Sequence, residues 1–308
     1  MTRALRAVPA AQVTLGDAVD AYLDTLSHAE RRGTRKQYGS ILGRMARGIG
    51  EGRDVQAVTA ADLAAWMKAT SGDRAPRTWN LARVCLRSAW SWWGQAGWAD
   101  PEVARGIPPR KVAEDRDRAI PGWVLEELRA DQAIPLRERV LWLMMEETAA
   151  RESELLALDV ADLDRAHNRA KVRRKGGDAD VVVYQSGTAA LIPRLLKGRK
   201  AGPLFCTSRK APAGTPRADV APDGTGRLSA RQAQDIFRRE TEPYQGGPYV
   251  LHGIRHRALT DAAQQGASTP MLLALSGHRN VKSLAIYARV GTDALAAWQA
   301  DRDPSRRH

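Results

Sequence analysis

The sequence predicts a two-domain, mainly α-helical protein with one small β-hairpin. Three observations carry this reading. Apolar residues recur at helical spacing through residues 13–99 and again through most of 119–308. A proline- and charge-rich stretch, residues 100–118, separates the two runs. One pair of short segments flanks the turn Lys175-Gly176-Gly177-Asp178-Ala179 and reads as two strands. With 308 residues, the chain is long enough to bury two cores.

Residues 1–12 carry basic side chains but no long apolar segment of the signal-peptide kind, and read as a flexible tail. Thr14-Leu15-Gly16-Asp17 then has the form of a capping box, with Asp in place of Glu or Gln. Leu15, Val19, Tyr22 and Leu26 follow on one helical face. Thr34 to Gln37 signals a second helix, with Tyr38, Ile41, Leu42 and Met45 as its stripe. Thr59 starts a third, carrying Leu63, Trp66 and Met67, and Thr78 a fourth, carrying Trp79, Leu86, Trp90 and Trp93. Four such helices make an independent unit over 13–99. Pro101, Pro108 and Pro109, followed by the charge run Arg110 to Arg118, predict an extended linker.

The remainder, 119–308, reads as mostly helical. Helices are expected over Pro121–Ala130 and Pro135–Thr148, each with proline in its first turn. Strands follow over Arg169–Arg174 and Asp180–Tyr184. Ser186–Leu196 and Ser229–Glu240 are helices, and Thr207–Arg227, rich in Pro, Gly and Ala, is a mobile surface loop. Leu251–Gln265 is helical. Ser268 caps the next helix, with Pro270 in its first turn and Gly277 near its end. Tyr287 sits in a helical segment from about Val281. A last short helix, 292–300, carries Leu295 and Trp298.

Charge narrows the partners. There are 48 Lys+Arg against 35 Asp+Glu, a formal charge of +13. The excess is spread out: residues 1–118 alone hold 19 basic and 13 acidic side chains. That balance suits nucleic acid or an anionic membrane, and equally a basic protein from an arginine-rich proteome. Cys85 and Cys206 have no paired spacing, which argues against a disulfide framework or thiolate zinc site and fits a reducing cytoplasm. No apolar run approaches the roughly 20 residues of a membrane span. The sequence contains no phosphate-binding glycine loop and no compact Asp/Glu/His cluster with metal spacing, so neither metal nor cofactor is expected.

The last sixty residues hold the most informative pattern: His252-Gly253-Ile254-Arg255, then Gly277-His278, then Tyr287. His252 and Arg255, three apart, share a helical face. A tyrosine hydroxyl, with a pKa near ~10, becomes a nucleophile only in a positive, dry setting or beside a base. Guanidiniums and an imidazole donor match the charge that grows on a phosphodiester under attack. A lysine can protonate the departing oxygen. Arg151, at a junction between helices, and Lys175, at the hairpin tip, complete the set. Each has a plainer reading: a surface arginine, a solvated basic hairpin, a structural histidine, a core tyrosine. Glu154 fits an orienting role toward Arg151 or a neighbouring imidazole, and equally a helix-capping acid.

In this order (arginine, hairpin lysine, H-x-x-R, G-H, tyrosine) the chain resembles the tyrosine recombinase (phage integrase) family over nearly its whole length. The resemblance makes 13–99 a core-binding domain and 119–308 a catalytic domain, the two forming a clamp on duplex DNA. It implies catalytic roles for Arg151, Lys175, His252, Arg255, His278 and Tyr287, with Glu154 supporting them. Lys171, Arg173, Arg174 and Arg279 are the expected DNA contacts. Two departures stand out. Ala149-Ala150 replaces the frequent Gly-Leu before the first arginine. Asp178 and Asp180 occupy the turn where a second basic residue is often seen, which weakens the expected grip of the hairpin on DNA.

The implied reaction is site-specific recombination: a 3′-phosphotyrosyl bond forms, a 5′-hydroxyl is released, and two rounds pass through a Holliday junction without ATP or metal. A homo-tetramer on DNA is expected, with helix 292–300 docked on a neighbouring protomer or on its own domain. Rival readings are a catalytically inactive DNA-binding regulator on the same fold, and a related tyrosine topoisomerase or telomere resolvase. The helical clamp domain and chain length favour the recombinase. With no arm-binding domain ahead of residue 14, a simple recombinase is favoured over a large arm-binding integrase.

Overall fold

Capping side chains and proline positions set where the helices begin. The computed structural model describes residues 12–27, 32–112, 119–174, 177–278, 280–284, 287 and 299–300. The chain divides into two units, Met1–Glu114 and Asp115–His308.

The first unit contains α1 (Leu15–Asp24), α2 (Arg32–Ile49), α3 (Ala60–Ser71), α4 (Pro76–Gln95) and the short α5 (Glu102–Arg105). The Thr14 hydroxyl accepts the Asp17 N–H, and Thr59 with Asp62 closes a full capping box at α3. Two helices start earlier than expected, α2 at Arg32 rather than Thr34 and α4 at Pro76 rather than Thr78. Proline at the first position of α4 sacrifices no hydrogen bond, because that N–H has no partner within a helix. The predicted stripes meet in one core of Leu15, Leu42, Met45, Leu63, Met67, Trp90 and Trp93, all fully buried. The Trp93 indole donates to the Ala18 carbonyl at 2.8 Å.

The expected extended linker over 100–118 is in part something else. Residues 102–112 pack on the first unit through α5 and the buried Ile107. The prolines here leave carbonyls to be satisfied, and α4 satisfies them: Trp79 Nε1 donates to Pro108 O at 2.9 Å, and Arg83 Nε to Ile107 O at 2.6 Å. Asn80 and the Arg110 backbone exchange two hydrogen bonds, and the Arg110 guanidinium lies 3.9 Å above the Trp79 ring. Residues 113–118 lie outside the described residues.

The second unit runs α6 (Gly122–Ala130), α7 (Leu136–Thr148), α8 (Glu152–Leu156), β1 (Leu163–Asp164), β2 (Arg169–Arg173), β3 (Ala179–Val183), α9 (Ser186–Leu196), β4 (Cys206–Lys210), β5 (Thr225–Arg227), α10 (Ala230–Thr241), α11 (His252–Gln264) and α12 (Thr269–Ser276). Pro121 and Pro135 stand just before their helices rather than inside the first turn. The predicted hairpin is the β2–β3 pair of an antiparallel sheet ordered β1-β2-β3, with Arg169 opposite Val183 and Arg173 opposite Ala179. Trp142, Tyr184, Phe205 and Phe237 are buried in the main core of this unit.

Thr207–Arg227, which by composition reads as a mobile loop, holds most of an antiparallel pair, β4 with β5. Its anchor is Arg227, which binds Asp159 at 2.6 Å, Asp219 at 2.7 Å and the carbonyls of Leu156 and Leu158 at 3.1 Å. Ala221 and Leu228 are buried beneath it. The glycines that suggest a loop supply its turns. Val281–Leu284 forms a single 3-10 turn, and the Tyr287 N–H donates to the Leu284 carbonyl at 2.8 Å. The tail 1–12 and helix 292–300 fall outside the described residues except at Gln12, Gln299 and Ala300.

Three helices of this unit end in left-handed backbone, α9 among them on Lys197 at φ 49°. α7 stops on Ala149 at φ 47° and α12 on Gly277 at φ 61°. Gly277 has no room for a Cβ, which would collide with the Arg174 guanidinium. Ala149 adopts the same conformation with a Cβ, at a cost of roughly 1–2 kcal/mol. Ala149→Gly is therefore expected to raise the urea stability of the protein by about 0.5–1 kcal/mol, the relief being partly offset by unfolded-chain entropy. Gly277→Ala is expected to lower it by about 2 kcal/mol. Equilibrium unfolding of both variants checks this, and a destabilised Ala149→Gly would show that the Ala149 methyl matters more than its backbone.

Candidate active site

Arg255 lies at the centre of the predicted cluster, on the first turn of α11, and is only 1% exposed. Its Nη1 donates to the Ala149 carbonyl, and its Nη2 to the Ser276 carbonyl at 2.6 Å. Those two oxygens are at the C-terminal ends of α7 and α12. The backbone dipoles there present negative charge to the guanidinium. Desolvation lowers the Arg255 pKa to about 10, with the Arg151 charge acting in the same direction, so the group remains charged at neutral pH.

Arg151 immediately precedes α8. Its N–H donates to Glu154 Oε2 at 3.0 Å, and its Nη1 to Glu154 Oε1 at 2.6 Å. Glu154, 4% exposed, thus both caps the helix and orients Arg151. A second arginine shares this carboxylate: Arg174 Nη1 donates to Glu154 Oε2 at 2.9 Å, and Arg174 Nε to Asp180 Oδ2 at 2.9 Å. The sequence reading places Arg174 among the DNA contacts; the structure turns its side chain inward. Arg174 is nearly buried, packed against Gly277 and ion-paired twice, because it continues the inward alternation of Ala170 and Val172. Arg169, Lys171 and Arg173 take the outward positions and are exposed.

His278 follows Gly277. Its backbone N–H donates to Ser276 Oγ at 3.2 Å, and its Nε2 lies 3.3 Å from Arg255 Nη2. A guanidinium only donates, so Nε2 accepts and Nδ1 carries the proton. That Nδ1 is buried and has no hydrogen-bond partner among the described residues. Desolvation, together with the charges of Arg255, Arg151 and Arg174, depresses the His278 pKa to about 4. The imidazole is therefore a neutral donor at physiological pH.

His252 stands at the start of α11, open to solvent on one side. Crowding on its other side lowers its pKa, the charges of Arg255 and Arg151 lower it further, and Glu152 opposes them.

Tyr287 is 6% exposed, in a small apolar cluster with Ala149, Ala258, Leu259, Leu272 and Leu284. Desolvation raises its pKa, while Arg255 and Arg151 pull it back down. Its hydroxyl meets His256 Nδ1 at 2.9 Å. His256 has no part in the sequence reading. It lies one helical turn beyond His252, whose ring it meets edge-on at 4.6 Å between centroids. Its i, i+4 relation to His252 is the signal the sequence offers.

The structure thus brings together Arg151, Glu154, His252, Arg255, His278 and Tyr287, and adds Arg174 and His256. Lys175 and Arg279 lie outside the described residues. Among the described residues, no group of three or more His, Cys, Asp or Glu is placed to hold a metal ion, and no helix is long and apolar enough to cross a membrane.

The depressed His278 pKa has a measurable consequence. An unfolded histidine takes up its proton near pH ~6.5, whereas His278 in the folded chain resists until about pH 4. Between those values the unfolded state binds more protons, so stability falls as pH falls through this window. The urea midpoint is expected to drop from pH 7 to pH 5, and to drop less in His278→Asn. Equal slopes would contradict the depressed value.

Comparison with known proteins gives a consistent result. The family model described as the phage integrase family matches residues 124–293. Tyrosine recombinase XerC of Mycobacterium tuberculosis (strain ATCC 25177 / H37Ra) is 28% identical over 295 residues, covering 91% of this chain and 95% of that protein. XerC of Mycobacterium leprae (strain TN) is 28% identical over 275 residues, covering 85% and 90%. Among solved structures, the Tn1549 transposon integrase in complex with a circular intermediate DNA superposes with a TM-score of 0.70 at 15% identity, over 94% of this chain and 99% of that one. The lambda integrase (residues 75–356) bound to DNA gives 0.67 at 16% identity, over 90% and 96%. The solved structures share this fold, the family match spans more than half of the sequence, and the chain belongs to the phage integrase family of tyrosine recombinases.

Proposed function

We propose that, in this site-specific DNA recombinase, Tyr287 is the nucleophile, and that Arg151, Arg255, His252 and His278 hold the phosphodiester it attacks. The observation that carries this is the charge balance around Arg255. Arg151, Arg174 and Arg255 place three guanidiniums in one cluster against two carboxylates, Glu154 and Asp180. Arg151 and Arg174 are paired. Arg255 is buried and, among the described residues, its direct partners are two carbonyls and a neutral imidazole. Burying a positive charge with no anionic partner is costly, and a phosphate bound beside the guanidinium lowers that cost.

In this reading the Tyr287 oxygen forms a bond to phosphorus, giving a 3′-phosphotyrosyl linkage, while the bond to the 5′ oxygen breaks. Lys175 gives that oxygen its proton. The Nδ1–H of His278 and the two guanidiniums donate to the non-bridging oxygens as charge grows there. A 5′-hydroxyl from the partner duplex reverses the step, and two rounds pass through a Holliday junction. The energy of the broken bond is kept in the phosphotyrosine.

The protein acts on double-stranded DNA at a specific site in the cytoplasm. The two units (13–99 with the packed segment after it, and 119–308) serve as the halves of a DNA clamp. Lys171 and Arg173, exposed on β2, are suited to backbone phosphates, and Arg279 joins them as the sequence neighbour of His278. Four strand cleavages with one tyrosine each require four protomers, so the working assembly is a homo-tetramer, linked through 292–300.

Two measurements test the reading. A nicked substrate that traps the cleaved strand is expected to yield a covalent protein–DNA adduct with the parent protein and none with Tyr287→Phe; an adduct that survives that change removes Tyr287 from the mechanism. If His278 acts as a neutral donor, His278→Leu should slow cleavage about 100- to 1,000-fold. His278→Asn retains an N–H and should lose much less. Equal losses would make the residue a packing element.

A further inference from the structure

The geometry points to His256 as the group that takes the proton from the Tyr287 hydroxyl during strand cleavage and returns it during rejoining. This step rests on the reading of Tyr287 as nucleophile. The attacking oxygen cannot keep its proton as it bonds to phosphorus. Burial makes that proton harder to lose. His256 Nδ1 lies 2.9 Å from the hydroxyl, within direct transfer distance.

The imidazole is held for this task. α11 is continuous from His252 through Arg255 to His256, so one rigid element carries a phosphate ligand and the proton acceptor. The His256 ring meets the His252 ring edge-on at 4.6 Å between centroids, and the Tyr287 ring lies 5.4 Å away. Arg255, adjacent in sequence, turns inward to the helix ends. His278, the other imidazole of the cluster, is unsuited to act as base here, because its Nε2 already accepts from Arg255 and its Nδ1 carries the proton.

The step balances. In cleavage, the Tyr287 O–H bond breaks and its proton moves to His256 Nδ1. The phenolic oxygen bonds to phosphorus, the bond from phosphorus to the 5′ oxygen breaks, and that oxygen takes its electron pair together with the proton from Lys175. In rejoining, the incoming 5′-hydroxyl gives its proton to Lys175 and attacks phosphorus. The bond from phosphorus to the Tyr287 oxygen breaks, and His256 returns the proton to the phenol.

The experiment is single-turnover adduct formation on the nicked trapping substrate with His256→Ala and His256→Asn. DNA binding and unfolding midpoints serve as checks that each variant is folded and loaded. Asparagine can accept a hydrogen bond near the position of Nδ1 but cannot take a proton. Both variants are expected to cleave at least about 100-fold more slowly than the parent. Added imidazole should restore the rate of His256→Ala, with more basic methylimidazoles restoring it more. On a substrate with sulfur in the bridging 5′ position, whose leaving group needs no proton, the His256 defect should persist while a Lys175→Ala defect disappears. A folded, DNA-bound His256→Asn within about threefold of the parent, or no response to imidazole, would overturn the proposal and reduce His256 to a holding contact. A parent protein that forms no Tyr287 adduct would instead overturn the assignment of the nucleophile.

Discussion

The site depends on how one buried guanidinium is held. Arg255 carries a full positive charge where water does not reach, and its support is not a carboxylate but the carbonyl ends of α7 and α12. Both helices must stop at the right residue with the final carbonyl turned inward. Each does so through a left-handed residue at its end, Ala149 and Gly277. Partial charges of this kind stabilise a cation without cancelling it. A carboxylate in the same place would hold the arginine equally well, but would remove the field that makes the site attractive to a phosphate. The end-on arrangement of two helices is thus a structural device with an electrostatic purpose.

Glu154 and Arg174 extend the same logic outward. Glu154 is shared between Arg151 and Arg174, which ties α8 to the turn end of the β2–β3 hairpin. Arg174 in turn lies against Gly277. One chain of contacts therefore runs from Arg151 through Glu154 to Arg174, next to Lys175 in sequence, and on through Ser276 at the end of α12 to His278. Its members gain from one another in a low-dielectric setting, and each would be expensive to leave unpaired. Asp180 matters here as well. Its acidity, a departure from the pattern expected at the hairpin, is compensated by the ion pair it makes with Arg174, just past the end of β2.

Much of this is legible in the sequence, and the rest is hidden for specific reasons. The order of Arg151, His252, Arg255, His278 and Tyr287 can be read because helical spacing places short motifs on one face, and the start signals at Thr14, Thr59 and Ser268 mark real helix starts. Arg174 misleads because its charge outweighs its position in such a reading. Strand alternation, followed one residue past Val172, puts it inside. The β4–β5 pair escapes detection because a three-residue strand with irregular register leaves little periodicity among glycines and prolines. Residues 102–112 look like a linker because the polar contacts that pin them come from Trp79, Asn80 and Arg83, a full helix away. His256 shows in the sequence only through its spacing from His252; the hydroxyl it meets lies 31 residues downstream, and no local pattern announces that contact.

The charge excess that favours phosphate also bears on the proposed nucleophile, Tyr287. Arg255 and Arg151 both lower the Tyr287 pKa, against a larger opposing effect of burial. Once a phosphodiester occupies the positive cluster, its own negative charge offsets part of that help, and ionising the phenol becomes harder just when attack is due. Positive charge alone is therefore a poor way to activate this tyrosine in the loaded site, since substrate binding consumes it. An imidazole already in contact with the hydroxyl offers another route for the proton. Proton transfer to an imidazole moves positive charge onto the ring, and a bound phosphate stabilises that charge. On the proposed reading of Tyr287, the phenol stays protonated in the free protein and becomes reactive when DNA is in place.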